Sequence, residues 1–390
     1  MKTALAVVHP PEASGLHTFW AARWVALRER GVEIHLAVPP EVVSPALRDI
    51  PAGCVHELEY GRPRSAVKLA ANLRYLARLG RDSRAIAELA AQVGSTTLVS
   101  HGPHLVTPAV AARRHHLRHV VLLHSDAAPG WSATLLGAIR RPDQVLAETS
   151  AAARKYGNAL GARDLDVLLP AVHPRFGAHR DGNGRLPART ALEVDGDRPV
   201  LGFVGVFSPR KRPDRVLDLA EALHAAGQPW AVRLIGEVAV AHTDWFERNV
   251  GDRIRRLRAE QVDIALVPGR DGVSALMPGI DCLVITSANE GVPNVCMEAL
   301  AVGTPVVALA LPGLDGWDER VNAAAGATVL VQVGRGHGET SRLADAAERL
   351  RVPPADRAEI ATAGRAVFAA DAAADQLSQV LAYPDRVAVQ

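Results

Sequence analysis

Two glutamates eight positions apart, Glu290 and Glu298, are the residues in this 390-residue chain whose type and spacing best suit chemistry. They bracket a turn inside the stretch DCLVITSANEGVPNVCMEALAVGTPVV at 281–307. Glu290 falls in a polar loop, and Glu298 lies more than one turn inside a helix that opens at Pro293. The free N–H groups of Val292, Asn294 and Val295, with the positive end of the helix dipole, suit phosphate or sugar oxygens. Glu298 is suited to accept hydrogen bonds from a vicinal diol such as a ribose, and Glu290 from the hydroxyls of a sugar. The chemistry this favours is capture of a sugar diphosphate. The plainer alternative is a surface loop ahead of an ordinary core helix, with Glu298 on its solvated face.

The elements that must position these groups are a buried strand at 281–286, the loop at 287–291 and the helix. Pro293 suits a first helical position, where its missing N–H would be unpaired anyway, and Gly303 suits the residue just past the end. A strand restarts at 304–309. Short β-branched runs alternate with helical patterns along the whole chain, which predicts parallel sheets with crossover helices. In the first half the strands read as 3–8, 33–38, 96–100, 119–124, 144–147 and 166–169, with helices at 16–30, 66–79 and 106–114. In the second half they read as 200–205, 231–235, 264–267, 283–286, 306–309 and 327–331. Between the halves, FGAHRDGNGRLPARTALEVDGDR at 176–198 is polar and rich in Gly and Arg, and reads as a linker. The expected organisation is a domain at 1–175, the linker at 176–198, a second domain at 199–366 and a terminal segment at 367–390 that is helical over 373–381.

Composition excludes several classes. A net charge of +2 gives no mandate for nucleic acid, and 4% aromatic content argues against a base-stacking surface. Three cysteines, Cys54, Cys282 and Cys296, show no metal-ligand pairing among themselves, so a reduced, cytoplasmic chain is expected. No apolar run approaches the about 18 residues of a membrane span. Arg62, Arg64, Lys68, Arg74, Arg78, Arg81 and Arg84 fall on helical patterns with an apolar face. A basic helix of that kind either rests on anionic lipid or presents an ordinary solvated face, and the second is favoured.

Polar residues placed straight after apolar strands are further candidates. Strand 3–8 is followed by Gly15 and a helix carrying His17, strand 96–100 by His101 and His104, and strand 119–123 by His124 and Asp126. The histidine spacings match no zinc motif, so no metal is expected. His17, His101 and Asp126 are candidates for contact with an acceptor. His17 reads equally as a solvated first-turn residue, and a lone Gly before a helix as a simple turn.

Glu290-Gly291-Val292-Pro293 followed by Glu298-Ala299 resembles the signature of retaining glycosyltransferases with the GT-B fold, family 4 (group 1) in particular. The resemblance implies two Rossmann-like doubly wound parallel-sheet domains facing across a cleft, with a C-terminal helix crossing back to the first. In that family the first domain binds the acceptor and the second the nucleotide-sugar donor. Gly15 looks like the glycine loop facing the diphosphate, and His124 resembles the histidine set beside the donor sugar. In LGFVGVFSPRKRPDRVL at 201–217, Gly205, Ser208, Pro209 and Lys211 match the family's phosphate-binding turn. Val206 occupies the place of the family arginine, and valine cannot neutralise phosphate; Arg210 or Arg212 is the available compensation. Gly236, ending Arg233-Leu234-Ile235-Gly236, resembles the small residue bordering the nucleotide, and Val267-Pro268-Gly269-Arg270 resembles the turn bordering the base.

The implied function is transfer of a hexose-type sugar from a nucleotide diphosphate sugar to a small-molecule or glycan acceptor, with retention. His124, Lys211 and Glu290 would be catalytic; no cofactor and no metal would be needed. An inverting variant would use His17 as base, oriented by Asp126. The alternatives are a nucleotide-sugar epimerase of the same fold and a nucleotide-sugar binding protein that has lost turnover, the latter motivated by Val206. A dehydrogenase is disfavoured, since no G-x-G-x-x-G follows the first strand.

Overall fold

The computed structural model describes every residue except 9–13, 41–44, 62–68, 102–105, 124–141, 161–164, 178–183, 270–271, 352–356 and 383–390, together with the backbone alone at 14–15, 45–46, 69–72 and 158–160. The chain divides into two compact units, Met1–His173 with Ala370–Gln390, and Pro174–Ala369.

The first unit is built on a seven-stranded sheet. In chain order its strands are β1 (Lys2–Val7), β2 (Val32–Val38), β3 (Val55–Glu57), β4 (Thr97–His101), β5 (Arg118–Leu123), β6 (Gln144–Ala147) and β7 (Asp166–Val167). Their order across the sheet is β3-β2-β1-β4-β5-β6-β7, with every pairing parallel. The Ser14–Glu29 helix packs Trp20 and Leu27 on Ile34 and Leu36 of β2, and Leu377 and Leu381 of the last helix, Ala370–Ala382, join the same core. That last helix is therefore part of the first unit. Its Gln376 side chain accepts from the Leu169 N–H (2.8 Å) and donates to the Val167 carbonyl (2.8 Å).

The second unit carries six strands, β8 (Val200–Val204), β9 (Ala231–Ile235), β10 (Ile264–Val267), β11 (Cys282–Ile285), β12 (Val306–Leu309) and β13 (Leu330–Val333). Their order is β10-β9-β8-β11-β12-β13, again parallel throughout. β11 and β12 are buried along their whole length, which is why they read as continuous apolar runs. In both units the strand order reverses between the unit's first strand and its β4 or β11, and ligands of such sheets sit beyond the carboxyl ends at that point. Among the described residues no helix is long and apolar enough to cross a membrane.

Most expected strands lie within a residue or two of the observed ones. β3 was not foreseen, because Val55-His56-Glu57 is too short to show alternation. β13 begins three residues later than expected, at Leu330 rather than 327. The helix expected at 66–79 runs over Leu69–Gln92, and its Arg78 is paired with Glu59 at 2.9 Å. Pro293 stands at the N-cap rather than the first turn, since the helix is Asn294–Ala301.

The polar 176–198 segment holds a helix, Arg185–Ala191, belonging to the second unit. Two of its arginines are bound into the fold rather than free in solvent. Arg185 (2.6 Å) and Arg189 (3.2 Å) both reach Asp281, which is 6% exposed and also accepts the Val200 N–H at 2.9 Å. Arg233, buried in β9, donates to the carbonyls of Leu192 (2.6 Å) and Glu193 (2.9 Å). The segment is thereby bound to the amino ends of β8 and β11. Removing one partner of a buried ion pair costs about 3–5 kcal/mol. Asp281→Ala should accordingly lower the unfolding free energy in urea by about 3 kcal/mol, whereas Arg30→Ala, which breaks pairs with the exposed carboxylates of Asp371 and Asp375, should lower it much less. Equal losses would show that Asp281 does not anchor the 176–198 segment.

Candidate functional site

The site is built from two loops at the switch point of the second sheet. The turn after β8 runs from Gly205 to Arg212 and enters the Pro213–Ala225 helix, and the loop after β11 runs to Pro293 and the Asn294–Ala301 helix. They are tied to each other. Thr286 Oγ1 donates to the carbonyls of Lys211 (3.1 Å) and Arg212 (2.8 Å), and the Ala288 N–H donates to the Arg210 carbonyl (2.7 Å). Two glycines allow the close packing. A methyl on Gly236 would run into the Gly205 carbonyl, and one on Gly313 into the Gly291 carbonyl.

Glu290, 7% exposed, is the hub of this arrangement. Its Oε1 is paired with the Lys211 ammonium and accepts from Ser287 Oγ at 2.6 Å, while Oε2 accepts from Arg210 at 2.9 Å. Burial alone pushes the Glu290 carboxyl up, but Lys211, Arg210 and the Ser287 hydroxyl outweigh it and hold it below the usual range. Glu298, partly buried on the helix, goes the other way: burial pushes it up to about 7, against the opposing pull of Arg175 and Lys211. The charge of Lys211 thus reaches both carboxylates. Arg175, in the Pro174–Gly177 turn, is a neighbour that the sequence did not single out.

More positive charge surrounds this pair. Arg212 stands at the N-cap of its helix with φ 53° and ψ 52°, a left-handed conformation unusual for a non-glycine residue, and its guanidinium lies 3.6 Å from Glu339. Arg335, beyond β13, donates to the carbonyls of Ser287 (2.6 Å) and Ala310 (3.0 Å). Burial, with the nearby charge of Arg212, lowers its pKa. Sequence reading missed Arg335 because β13 was placed too early; the run Gly334-Arg335-Gly336-His337-Gly338 between that strand and the Glu339–Arg349 helix was the available signal. Val206 is 44% exposed and brings no charge.

No side chain caps the Asn294–Ala301 helix. The Asn294 N–H, expected to be a ligand donor, is turned onto the Val292 carbonyl at 3.0 Å. Gly291, Val292 and Val295 lie in the same turn and helix start.

The first unit contains the remaining candidates. Gly15 lies in the first turn of the Ser14–Glu29 helix. His17 is fully buried, has no hydrogen-bond partner on either ring nitrogen among the described residues, and is pushed down to about 4 by that burial. It is not the solvated first-turn residue of the plainer reading. His101 Nε2 accepts from the Trp20 indole at 2.8 Å, with Phe19 edge-on to its ring, so that nitrogen is committed to the core. His104, His124, Asp126 and Arg270 lie outside the described residues.

Residues 186–316 match the family model for glycosyl transferases group 1. A D-inositol 3-phosphate glycosyltransferase of Actinosynnema mirum is 30% identical over 258 residues, which is 64% of this chain and 59% of that protein. A 2-deoxystreptamine glucosyltransferase of Streptomyces kanamyceticus is 30% identical over 191 residues, 45% of each chain. The chain spans about half the length of the curated relatives it matches, from 41% to 59% for the first two. Among solved structures, Anabaena HepE in complex with UDP and glucose superposes with a TM-score of 0.74 at 18% identity, over 98% of this chain and all of that one. A glycosyltransferase from Rickettsia africae gives 0.75 at 11% identity over 97% of both. The fold is the two-sheet GT-B architecture.

The two carboxylates predict opposite pH behaviour. A carboxyl raised to about 7 in the folded chain, from an ordinary value near 4.5, binds protons more tightly folded than unfolded, so its contribution falls as pH rises through that window. Glu298→Gln removes this slope. Between pH 5 and 8 the variant should gain on the order of 2 kcal/mol over wild type in unliganded unfolding free energy. Parallel profiles would show that Glu298 titrates as an ordinary exposed group.

Proposed function

We propose, on the premise that residues 186–316 match the model for glycosyl transferases group 1, that the chain is a retaining glycosyltransferase moving a hexose from a nucleotide diphosphate sugar to an acceptor hydroxyl. The observation that carries the reading is Lys211, paired with Glu290 and felt by Glu298, at the carboxyl ends of β8 and β11. The leaving diphosphate develops charge as the glycosidic bond breaks. Lys211, Arg210, Arg212 and the start of the Asn294–Ala301 helix supply positive potential to receive it. These cations fill the part a divalent metal plays in other transferases, so none is required for the transfer. The departing phosphate then helps to take the acceptor proton on the same face, without a dedicated base. Glu290 would accept from the sugar hydroxyls and Glu298 from the ribose.

Arg335 supplies the charge that Val206 lacks. It already reaches into the loop after β11, through the Ser287 carbonyl, close enough to Arg212 to feel its charge. The donor class favoured is a UDP-hexose, since UDP and UDP-glucose are the ligands of HepE on the same fold. The acceptor class favoured is a cyclitol or similar small polyol, in line with relatives named for inositol phosphate and 2-deoxystreptamine. Val206, exposed where a phosphate-binding arginine is expected, favours a second reading: nucleotide-sugar binding without turnover.

Thermal unfolding of the purified chain with UDP, GDP, ADP and dTDP in EDTA separates these readings. A ligand at a hundredfold its dissociation constant stabilises by about 2.7 kcal/mol, and UDP should do so for wild type but not for Glu298→Ala. Arg335→Ala should weaken UDP about tenfold, a loss of about 1.4 kcal/mol, and Val206→Arg should tighten it. If no nucleotide shifts the transition, the transferase reading falls. A UDP shift with no new glycoside from UDP-glucose and a cyclitol favours binding alone.

A further inference from the structure

We propose that the first unit holds a thiophilic divalent ion of the zinc class at the edge of its sheet, ligated by Glu33, His35 and Cys54 and oriented by His56. One ligand atom from each of the three lies within 4.8 Å of the other two. Glu33 and His35 alternate onto one face of β2, and Cys54 leads directly into β3, the edge strand. The pairing of Ala37 with His56 sets the fourth residue beside them. No sequence spacing announces this set, because Glu33-x-His35 and Cys54-x-His56 are 19 residues apart and meet only through that pairing.

Three features point to an ion. The His35 Nε2 lies 3.6 Å from Glu33 Oε2, too far for a hydrogen bond. It is close to the about 3.4 Å that separates two nitrogen or oxygen ligands bound at 2.0–2.1 Å around a tetrahedral zinc. The other nitrogen, His35 Nδ1, is 2.9 Å from His56 Nε2, with the rings stacked at 5.1 Å. With Nδ1–H donating to His56, the Nε2 lone pair is left on the side of the Glu33 carboxylate, with a Cys54 ligand atom within 4.8 Å, an arrangement suited to holding a cation. Metal-bound histidines use their second nitrogen in this way. Finally, one carboxylate and one thiolate neutralise a dication, which suits a thiol that is 7% exposed and a histidine side chain that is 12% exposed. The thiolate–imidazole–carboxylate set selects zinc, cobalt or copper over magnesium and calcium. Binding displaces the thiol proton to solvent, and solvent completes the fourth position. The ion would clasp β3 to β2. It is independent of the transfer chemistry proposed for the second unit.

The test uses the full chain, reduced, stripped with EDTA and titrated with Co²⁺ as probe. One equivalent should produce the tetrahedral visible bands and a thiolate-to-cobalt charge-transfer band, and Zn²⁺ should displace it and raise Tm, whereas Mg²⁺ should not. Cys54→Ser should abolish the charge-transfer band. His56→Gln should keep the band but weaken Co²⁺ at least tenfold. Should Cys54→Ser fail to fold, Glu33→Gln, at a side chain 24% exposed, should itself weaken Co²⁺ at least tenfold. Absence of the band in wild type, its survival in Cys54→Ser, or unchanged affinity in Glu33→Gln would overturn the proposal.

Discussion

A lysine ammonium paired with one buried carboxylate and felt by a second is the interaction on which the second unit's surface depends. Glu290 is almost wholly out of water, and an isolated carboxylate there would be costly. Lys211, Arg210 and Ser287 satisfy it, coming from the two loops that meet at that point. The backbone bonds from Thr286 and Ala288 to the 210–212 carbonyls are the counterpart, fixing the loop that bears the cations to the loop that bears the acid. Charge pairing and loop geometry are therefore one constraint. The left-handed backbone at Arg212 is the local strain it imposes.

The two ends of β11 divide the work of that unit. At the amino end Asp281 gathers Arg185 and Arg189 and secures the segment that precedes β8. At the carboxyl end the same strand delivers Thr286, Ser287 and Glu290 to the switch point. Buried charge at the first end is held inside the fold, with Arg185, Arg189 and Arg357 all directed at Asp281. At the second end it is paired by groups that a ligand phosphate would also attract, which makes it exchangeable.

Much of this was legible in the sequence, and the failures have physical causes. The Glu290 and Glu298 spacing, Lys211 and the glycine turns stood out because turn chemistry and helix starts are local. The role of Arg185 and Arg189 did not, since nothing local distinguishes an arginine destined for Asp281 from one destined for solvent. Arg335 was lost with the misplacement of β13, whose Gln332 interrupts the apolar run by donating to the Leu314 carbonyl at 3.1 Å. His101 read as a ligand because it ends a strand, yet Trp20, 81 residues earlier in sequence, had already claimed its Nε2. The Glu33, His35 and Cys54 cluster depends on a three-residue strand that no periodicity could reveal.

The unliganded arrangement itself bears on how a donor would be received. Arg210 and Lys211 are both directed at Glu290, so a diphosphate cannot gain their full charge without loosening that carboxylate. Arg212 and Arg335 face a different acid, Glu339, at longer range, 3.6 Å for Arg212. They are the cations more readily drawn to an arriving phosphate. On the proposed function, phosphates that drew Lys211 towards themselves would leave Glu290 to seek other donors, and the hydroxyls of the attached sugar are the nearest that a sugar nucleotide would bring. Glu298 would then lose part of the positive field that opposes its protonation, and hydrogen bonds donated by a ribose diol would offset that loss. On the proposed function, donor binding would rearrange an existing ion pair rather than fill a prepared void, and the residues that stabilise the loop when empty would be the ones to recognise the sugar.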